Sequence, residues 1–253
     1  MNSRLLRVIL PSLVASLLIL IWYLVVILSG TTIFPNPAQV LYGIGELVER
    51  GVLHKYIIAS LFRVSCGFLT ALIIGIPSGL LIGWFKAAFI AFNPILQVLR
   101  PISPIAWIPI AILFFGVSDA APIFLIFLAS LFPIMTASIA AVQNIQIVHI
   151  RAAQNFGLSG LTLFKKVIFP AVIPQIITGI RIALGVAWLV VVAAEMIAVN
   201  SGLGYLIIDA RNAGMRYDLV LAGMVMIGII GLTLDLLVRR LERLDEVRWG
   251  VNR

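Results

Sequence analysis

Charge is what this sequence has least of. Only 11% of its 253 residues are Asp, Glu, Lys or Arg, while 62% are hydrophobic, far outside the composition of a soluble domain. Its one cysteine, Cys66, can form no intramolecular disulfide, so cysteine usage gives no evidence of redox compartment. The two histidines, His54 and His149, are far apart and lack companion ligands, so no metal site is expected. No G-x-x-x-x-G-K-[ST] run and no Gly-Lys pair occurs anywhere, so the chain is expected to bind no ATP and no other cofactor of its own. Paired catalytic carboxylates and a nucleophile-base arrangement are missing too, which argues against an enzyme. The net charge of +8 does not call for nucleic acid, because the basic residues sit mostly at the ends of apolar runs.

What is present is a series of apolar runs of membrane-spanning length separated by short polar segments. The reading is all-α: one polytopic membrane domain, 1–253, with about six spans. Arg4 and Arg7 precede an apolar run over 8–28, longer than a signal-peptide core and without an A-x-A site, so an uncleaved first span is expected. An external segment over 31–56 follows, with an interfacial helix at 38–49 after Phe34-Pro-Asn-Pro. The second span, 57–84, carries Gly67, Gly75, Pro77, Gly79 and Gly83, a small-residue face suited to close helix contact in lipid. The third region, 89–115, is interrupted by Pro94, Pro101, Pro104 and Pro109 and is expected to be kinked or split. Further spans fall at 122–142, 174–199 and 219–238, with a short external helix at 205–212. Of the 18 Lys and Arg, eleven fall in segments this topology places in the cytoplasm and four outside. The cytoplasmic set includes Lys86, Arg151, Lys165, Lys166 and the tail residues Arg239, Arg240, Arg243, Arg248 and Arg253. Both termini and the segment 147–170 are therefore expected inside.

Arg63, Arg100, Arg181 and Glu195 stand out as charges within spans, which makes them functional candidates by default. Arg63 lies near the external end, where snorkelling and ligand contact are both open. Arg100 adjoins the proline-broken stretch and is placed to face a cavity. Arg181 and Glu195 share a face of the fifth span but are about 21 Å apart along its axis. Each needs a partner from elsewhere, either a residue of another helix or a polar path. Ser103, Trp107, Ser130 and Thr136 either line such a route or bond between helices.

The segment 147–170 lies between two apolar runs and has no apolar core of membrane-spanning length. Residues 148–156 read as a short amphipathic helix, Gly157 and Ser159-Gly160 as a turn, and 161–169 as a second helical piece that Pro170 stops. Arg151-Ala152-Ala153, three residues, Gly157, nine residues, Val167-Ile168-Phe169-Pro170 resembles the cytoplasmic motif of permease subunits of bacterial ATP-driven (ABC) importers. That motif is written E-A-A, three residues, Gly, nine residues, Ile, any residue, Leu-Pro. Arg151, Val167 and Phe169 depart from it, while the alanines, glycine and proline keep their register. Ser60-Leu-Phe-Arg-Val, Gly67-Phe and Gly75-Ile-Pro-Ser-Gly-Leu-Leu-Ile-Gly83 resemble the second span of the nitrate, sulfonate, taurine and bicarbonate branch. Ala193-Ala-Glu-Met-Ile-Ala-Val-Asn-Ser-Gly-Leu-Gly-Tyr205 is similar to the end of the fifth span in its taurine and alkanesulfonate members.

The resemblance implies a type I ABC importer permease fold in the cell inner membrane. It implies two copies of this subunit, two cytoplasmic ATPases that bind the ATP, and an extracytoplasmic substrate-binding protein. Arg151, Ala152, Ala153, Gly157 and Pro170 would form the coupling element docked in the ATPase. Arg63, Arg100, Arg181, Glu195, Ser103 and Ser130 are the candidates for the path of a small oxyanion. A permease for a neutral or cationic nutrient, such as a pyrimidine vitamin precursor or an amino acid, is the competing reading.

Overall fold

The computed structural model describes residues 3–30 and 33–241, and every regular element among them is a helix. The tail residues Arg243, Arg248 and Arg253 and the expected segment start at Thr31 lie outside the described residues. Five helices are long and apolar enough to cross a membrane, and a bent pair supplies a sixth span if its halves are taken together. They are α1 (Ser3–Ser29), α3 (Val52–Trp84), α6 (Ala120–Gln143), the helix Gly160–Ala198 and α11 (Tyr217–Leu241). The bent pair is α4 (Lys86–Leu99) followed by a 3₁₀ turn (Pro104–Trp107) and α5 (Ile108–Phe115), with an angle of 85° between its halves. The break falls at Arg100–Ser103, where Pro101 and Pro104 withhold backbone donors.

Short helices decorate the two ends of the bundle. At one end, α2 (Pro37–Glu49) opens with a capping box: Asn36 Oδ1 accepts from the Gln39 N–H at 2.9 Å, and Gln39 Oε1 accepts from the Asn36 N–H at 2.8 Å. The same end carries α10 (Leu203–Asn212). Arg216 ties α2 to the start of α11, donating to Glu46 at 2.6 Å and to Asp218 at 2.7 Å. The hydrogen bond from Arg216 holds the Glu46 carboxyl below its ordinary range. At the opposite end sits α7 (Ile147–Asn155).

The bundle is built around α6, which packs along both α3 and α9 (Phe169–Ala198). Glycines set the spacing. A Cβ on Gly67 would lie 2.6 Å from the Ile123 carbonyl, one on Gly79 2.6 Å from Ser138 Cβ, and one on Gly83 3.0 Å from the Ile139 carbonyl. The small-residue face of the second span is thus a seat for α6. The first helix differs: between Ile9 and Ser29 only Val26 is buried, and its neighbour in the fold is α2.

Two boundaries differ from the sequence reading. The second span begins at Val52, directly after Gly51 at φ 66°, so its first turns come from the segment expected outside. Pro170 does not stop a helix. Gly160–Ala198 runs unbroken through α8 (Gly160–Leu163), a π turn (Phe164–Ile168) and α9 (Phe169–Ala198). The Phe169 N–H bonds back five residues to the Phe164 carbonyl. The wider π turn relieves the crowding a proline ring imposes on an α-helical carbonyl, and Pro170 enters α9 at its second position.

Candidate coupling element and buried charge network

The element at 147–170 is built on a helix stop that only glycine satisfies cheaply. Gly157 has φ 79°, its N–H bonds to the Gln154 carbonyl at 2.9 Å, and the Leu158 N–H bonds to the Ala153 carbonyl at 3.1 Å. These are the two bonds of a Schellman stop, and Leu158 packs against the cluster that holds Ala153. A Cβ on Gly157 would touch nothing within 4 Å, so the requirement for glycine is one of backbone conformation alone.

The two alanines part company. Ala153 is buried at 8% exposure in a cluster with Leu80, Val142, Leu163, Ile168 and Val172, which fastens α7 to the bundle. Ala152 and Arg151 are exposed. Beside them Val148 and Phe156 are exposed too, Phe156 at 87%. The outward face of the element is therefore Arg151, Ala152 and Phe156, and the expectation that Ala153 enters a partner's groove is corrected: its side chain is taken up by this chain's own core.

At the opposite end of the bundle, four segments converge on Arg63. Its exposure is 2%, and Glu195, with 0%, faces it. Arg63 Nη1 donates to Glu195 Oε1 at 2.6 Å and to the Ser201 carbonyl at 2.8 Å, while Nε and Nη2 donate to Asp119 Oδ1 at 2.8 and 2.6 Å. Ser60 Oγ donates to Glu195 Oε2 at 2.8 Å and accepts from the Leu203 N–H at 2.9 Å. The Gly204 N–H completes the carboxylate's shell at 3.0 Å. The strand of chain over 200–204 wraps this carboxylate so closely that a Cβ on Gly202 (φ 106°) would lie 2.3 Å from its carbon. Arg63 does not snorkel. Asp119, at the N-cap of α6, makes no cap bond and gives its carboxylate to Arg63 instead. The position of Glu195 three residues before the end of α9 brings it level with Ser60 and Arg63, one turn apart on α3.

The other span charges are placed differently. Arg181 donates to Asp235 on α11 at 2.8 Å, and Arg239 bonds the same carboxylate at 2.8 Å. Ser130 is buried and donates to the Ile126 carbonyl of its own helix at 2.8 Å, and Thr136 likewise donates to Phe132 at 2.8 Å. Trp107 is half-buried at the end of the 3₁₀ turn. Arg100 and Ser103 are exposed at the break of the bent pair. Asp119, Asp235, Ser60 and Ser201 were not singled out from sequence as partners. Asp235 had a visible signal, as an acidic residue inside the last apolar run, four residues before Arg239.

Residues 71–244 match the family described as "Binding-protein-dependent transport system inner membrane component". The chain belongs to that family: it is the multi-pass membrane component of an ABC transport system, a transport subunit and not an enzyme. It is similar to the nitrate import permease protein NrtB of Leptolyngbya laminosa, at 39% identity over 90% of this chain and 84% of that one. It is also similar to the taurine transport system permease protein TauC of Escherichia coli, at 35% identity over 90% of this chain and 85% of that one. Among solved structures, a chain of the MetNI methionine ABC transporter shares its fold with TM-score 0.67, at 17% identity over 79% of this chain and 96% of that one. The all-α type I importer permease fold implied by the resemblance is thus the fold observed.

Proposed function

We propose that this chain is the membrane-spanning subunit of an importer for a small oxyanion, an aliphatic sulfonate such as taurine first and nitrate or bicarbonate next. The observation that carries this is the near-full-length similarity, at comparable identity, to permeases named for nitrate and for taurine. The assembly is two copies of this chain with two ATPases and an extracytoplasmic binding protein. The charge bias of the segments supports a cytoplasmic position for the α7 end and for both termini.

In this reading the substrate meets Arg100 and Ser103. Arg63 and Glu195 neutralise each other inside the fold, and Arg181 is engaged by Asp235. Arg100 is exposed at the break of the bent pair and makes no ion pair among the described residues. A cation so placed favours an anion over a neutral nutrient. Uptake by proteoliposomes holding the full complex with its binding protein tests this. Taurine, another alkanesulfonate or nitrate is expected to be concentrated in an ATP-dependent way. Arg100→Gln should lower uptake on the order of 10- to 100-fold, the value of one charge-assisted hydrogen bond. Uptake of none of these anions, with an amino acid or pyrimidine carried instead, refutes the substrate class.

The coupling element docks on the ATPase through its outward face. Ala152→Glu and Phe156→Asp are expected to abolish ATPase co-elution while the permease keeps its elution profile. Ala153→Glu, by contrast, places a charge in the permease's own core and should impair the fold itself. Normal co-elution and normal uptake in both outward variants would show that this face does not couple.

A further inference from the structure

Between α9 and α11 the fold leaves a cleft of about 380 Å³ with a charge pair at one end. Two contacts set its direction: Arg181 donates to Asp235, and the Trp188 Nε1–H donates to the Ile227 carbonyl at 3.0 Å. The two helices therefore run antiparallel, and the Arg181–Asp235 end lies toward α7, where α9 begins and α11 ends. From the pair the cleft runs inward past Ile182, Gly185 and Leu189 on α9 and past Leu234 and Gly231 on α11. Its course covers about 12 Å along α9. Ile182 and Leu189 are exposed, so the cleft opens outward from the bundle. A Cβ on Gly185 would meet nothing within 4 Å, so the space beside that backbone is open.

Both charged residues line the cleft, and about a third of each side chain is exposed, 32% for Arg181 and 34% for Asp235. Asp235 stands one turn before the end of the apolar run 219–238, and Arg239 bonds it from that end. The Arg181 side chain tilts toward the start of its helix, which is the same end. The pair is thus held where headgroups meet hydrocarbon, with an apolar channel leading from it toward mid-membrane.

We infer that the cleft binds one phospholipid of the leaflet at the α7 end, with a headgroup that carries both a phosphate and a primary ammonium. The phosphate meets the Arg181 guanidinium, whose planar fork can serve two anions at once. The ammonium donates to Asp235, and an acyl chain lies along Gly185 and Gly231. A choline head offers Asp235 no N–H donor, and a glycerol head offers it no cation. A small free zwitterion would leave the apolar walls uncovered. The lipid's identity does not depend on the substrate or orientation proposed above.

The test uses the full complex in nanodiscs, with Leu189→Trp as a reporter at the inner end of the cleft. Its fluorescence, taken as the difference from wild type, is read as phosphatidylethanolamine, phosphatidylcholine or phosphatidylglycerol with brominated acyl chains is added. Phosphatidylethanolamine is expected to quench at a mole fraction about tenfold lower than either of the others, the value of one charge-assisted hydrogen bond. Added to the reporter, Asp235→Asn should abolish that preference and Asp235→Glu should keep it. The comparison of the three lipids stands even if Asp235→Asn fails to assemble. Equal quenching by all three would mean ordinary surrounding lipid, and phosphatidylglycerol matching phosphatidylethanolamine would mean that Asp235 receives no ammonium. A preference that survives Asp235→Asn would place the headgroup elsewhere. Release of the quenching by excess taurine would mean a site for a free zwitterion, and no quenching by any lipid would mean that a second copy of the chain covers the cleft. Each of these results overturns the proposal.

Discussion

Arg63→Met is expected to be among the most damaging single substitutions in this protein, at roughly 3–5 kcal/mol, because it leaves a buried carboxylate without its counter-charge. Glu195 would keep only the Ser60 hydroxyl and the Gly204 N–H. Asp119 and Ser201 would lose the guanidinium that binds them to α3. The stretch over 200–204, moulded on that carboxylate, should detach, and with it the seat of α10. The measurement is the thermal midpoint of the purified complex in detergent, together with protease cleavage between α9 and α10. Arg63→Lys should fall in between, since an ammonium lacks the planar fork that serves Glu195 and Asp119 at once. The double variant Arg63→Met with Glu195→Gln should recover part of the loss, because it removes both charges. An unchanged midpoint in Arg63→Met would show that the network does not hold this end together.

Gly79→Leu is expected to separate the two helices at the centre of the bundle. Even the first carbon of a side chain there would lie 2.6 Å from Ser138 Cβ and 2.8 Å from the Met135 carbonyl, with backbone on the far side that cannot rotate away. Overpacking commonly costs about 1–3 kcal/mol, and a clash against backbone belongs at or above the top of that range. Gly228 on α11 is the matched control, since a Cβ there meets nothing within 4 Å. Fluorescence-detected size exclusion of the two variants should show loss of the folded peak for Gly79→Leu and its retention for Gly228→Leu. Equal recovery would mean that α3 and α6 tolerate a wider spacing than the glycines impose.

Much of this was legible in the amino-acid sequence, for reasons that are local. An apolar run long enough to span a bilayer must be helical there, because lipid offers no partner to an open backbone. Gly157 after α7, and Pro101 with Pro104 in the third region, act through bonds within four or five residues, so the stop and the break could be placed from the chain alone, whereas the capping box at Asn36 emerged only in the structure. Gly67, Gly79 and Gly83 announced a close helix contact, though not with which helix. The tertiary structure decided that it is α6. It also decided that Arg63 meets Glu195 132 residues away and Asp119 56 residues away, and that Arg181 meets Asp235 rather than a path. The same holds for Ala152 and Ala153, neighbours of one residue type that face opposite ways because only one side of α7 lies against Leu80, Val142 and Val172. Helical period and caps are properties of a few consecutive residues. The partner of a buried charge and the covered side of a short helix depend on which distant surfaces the folded bundle brings together.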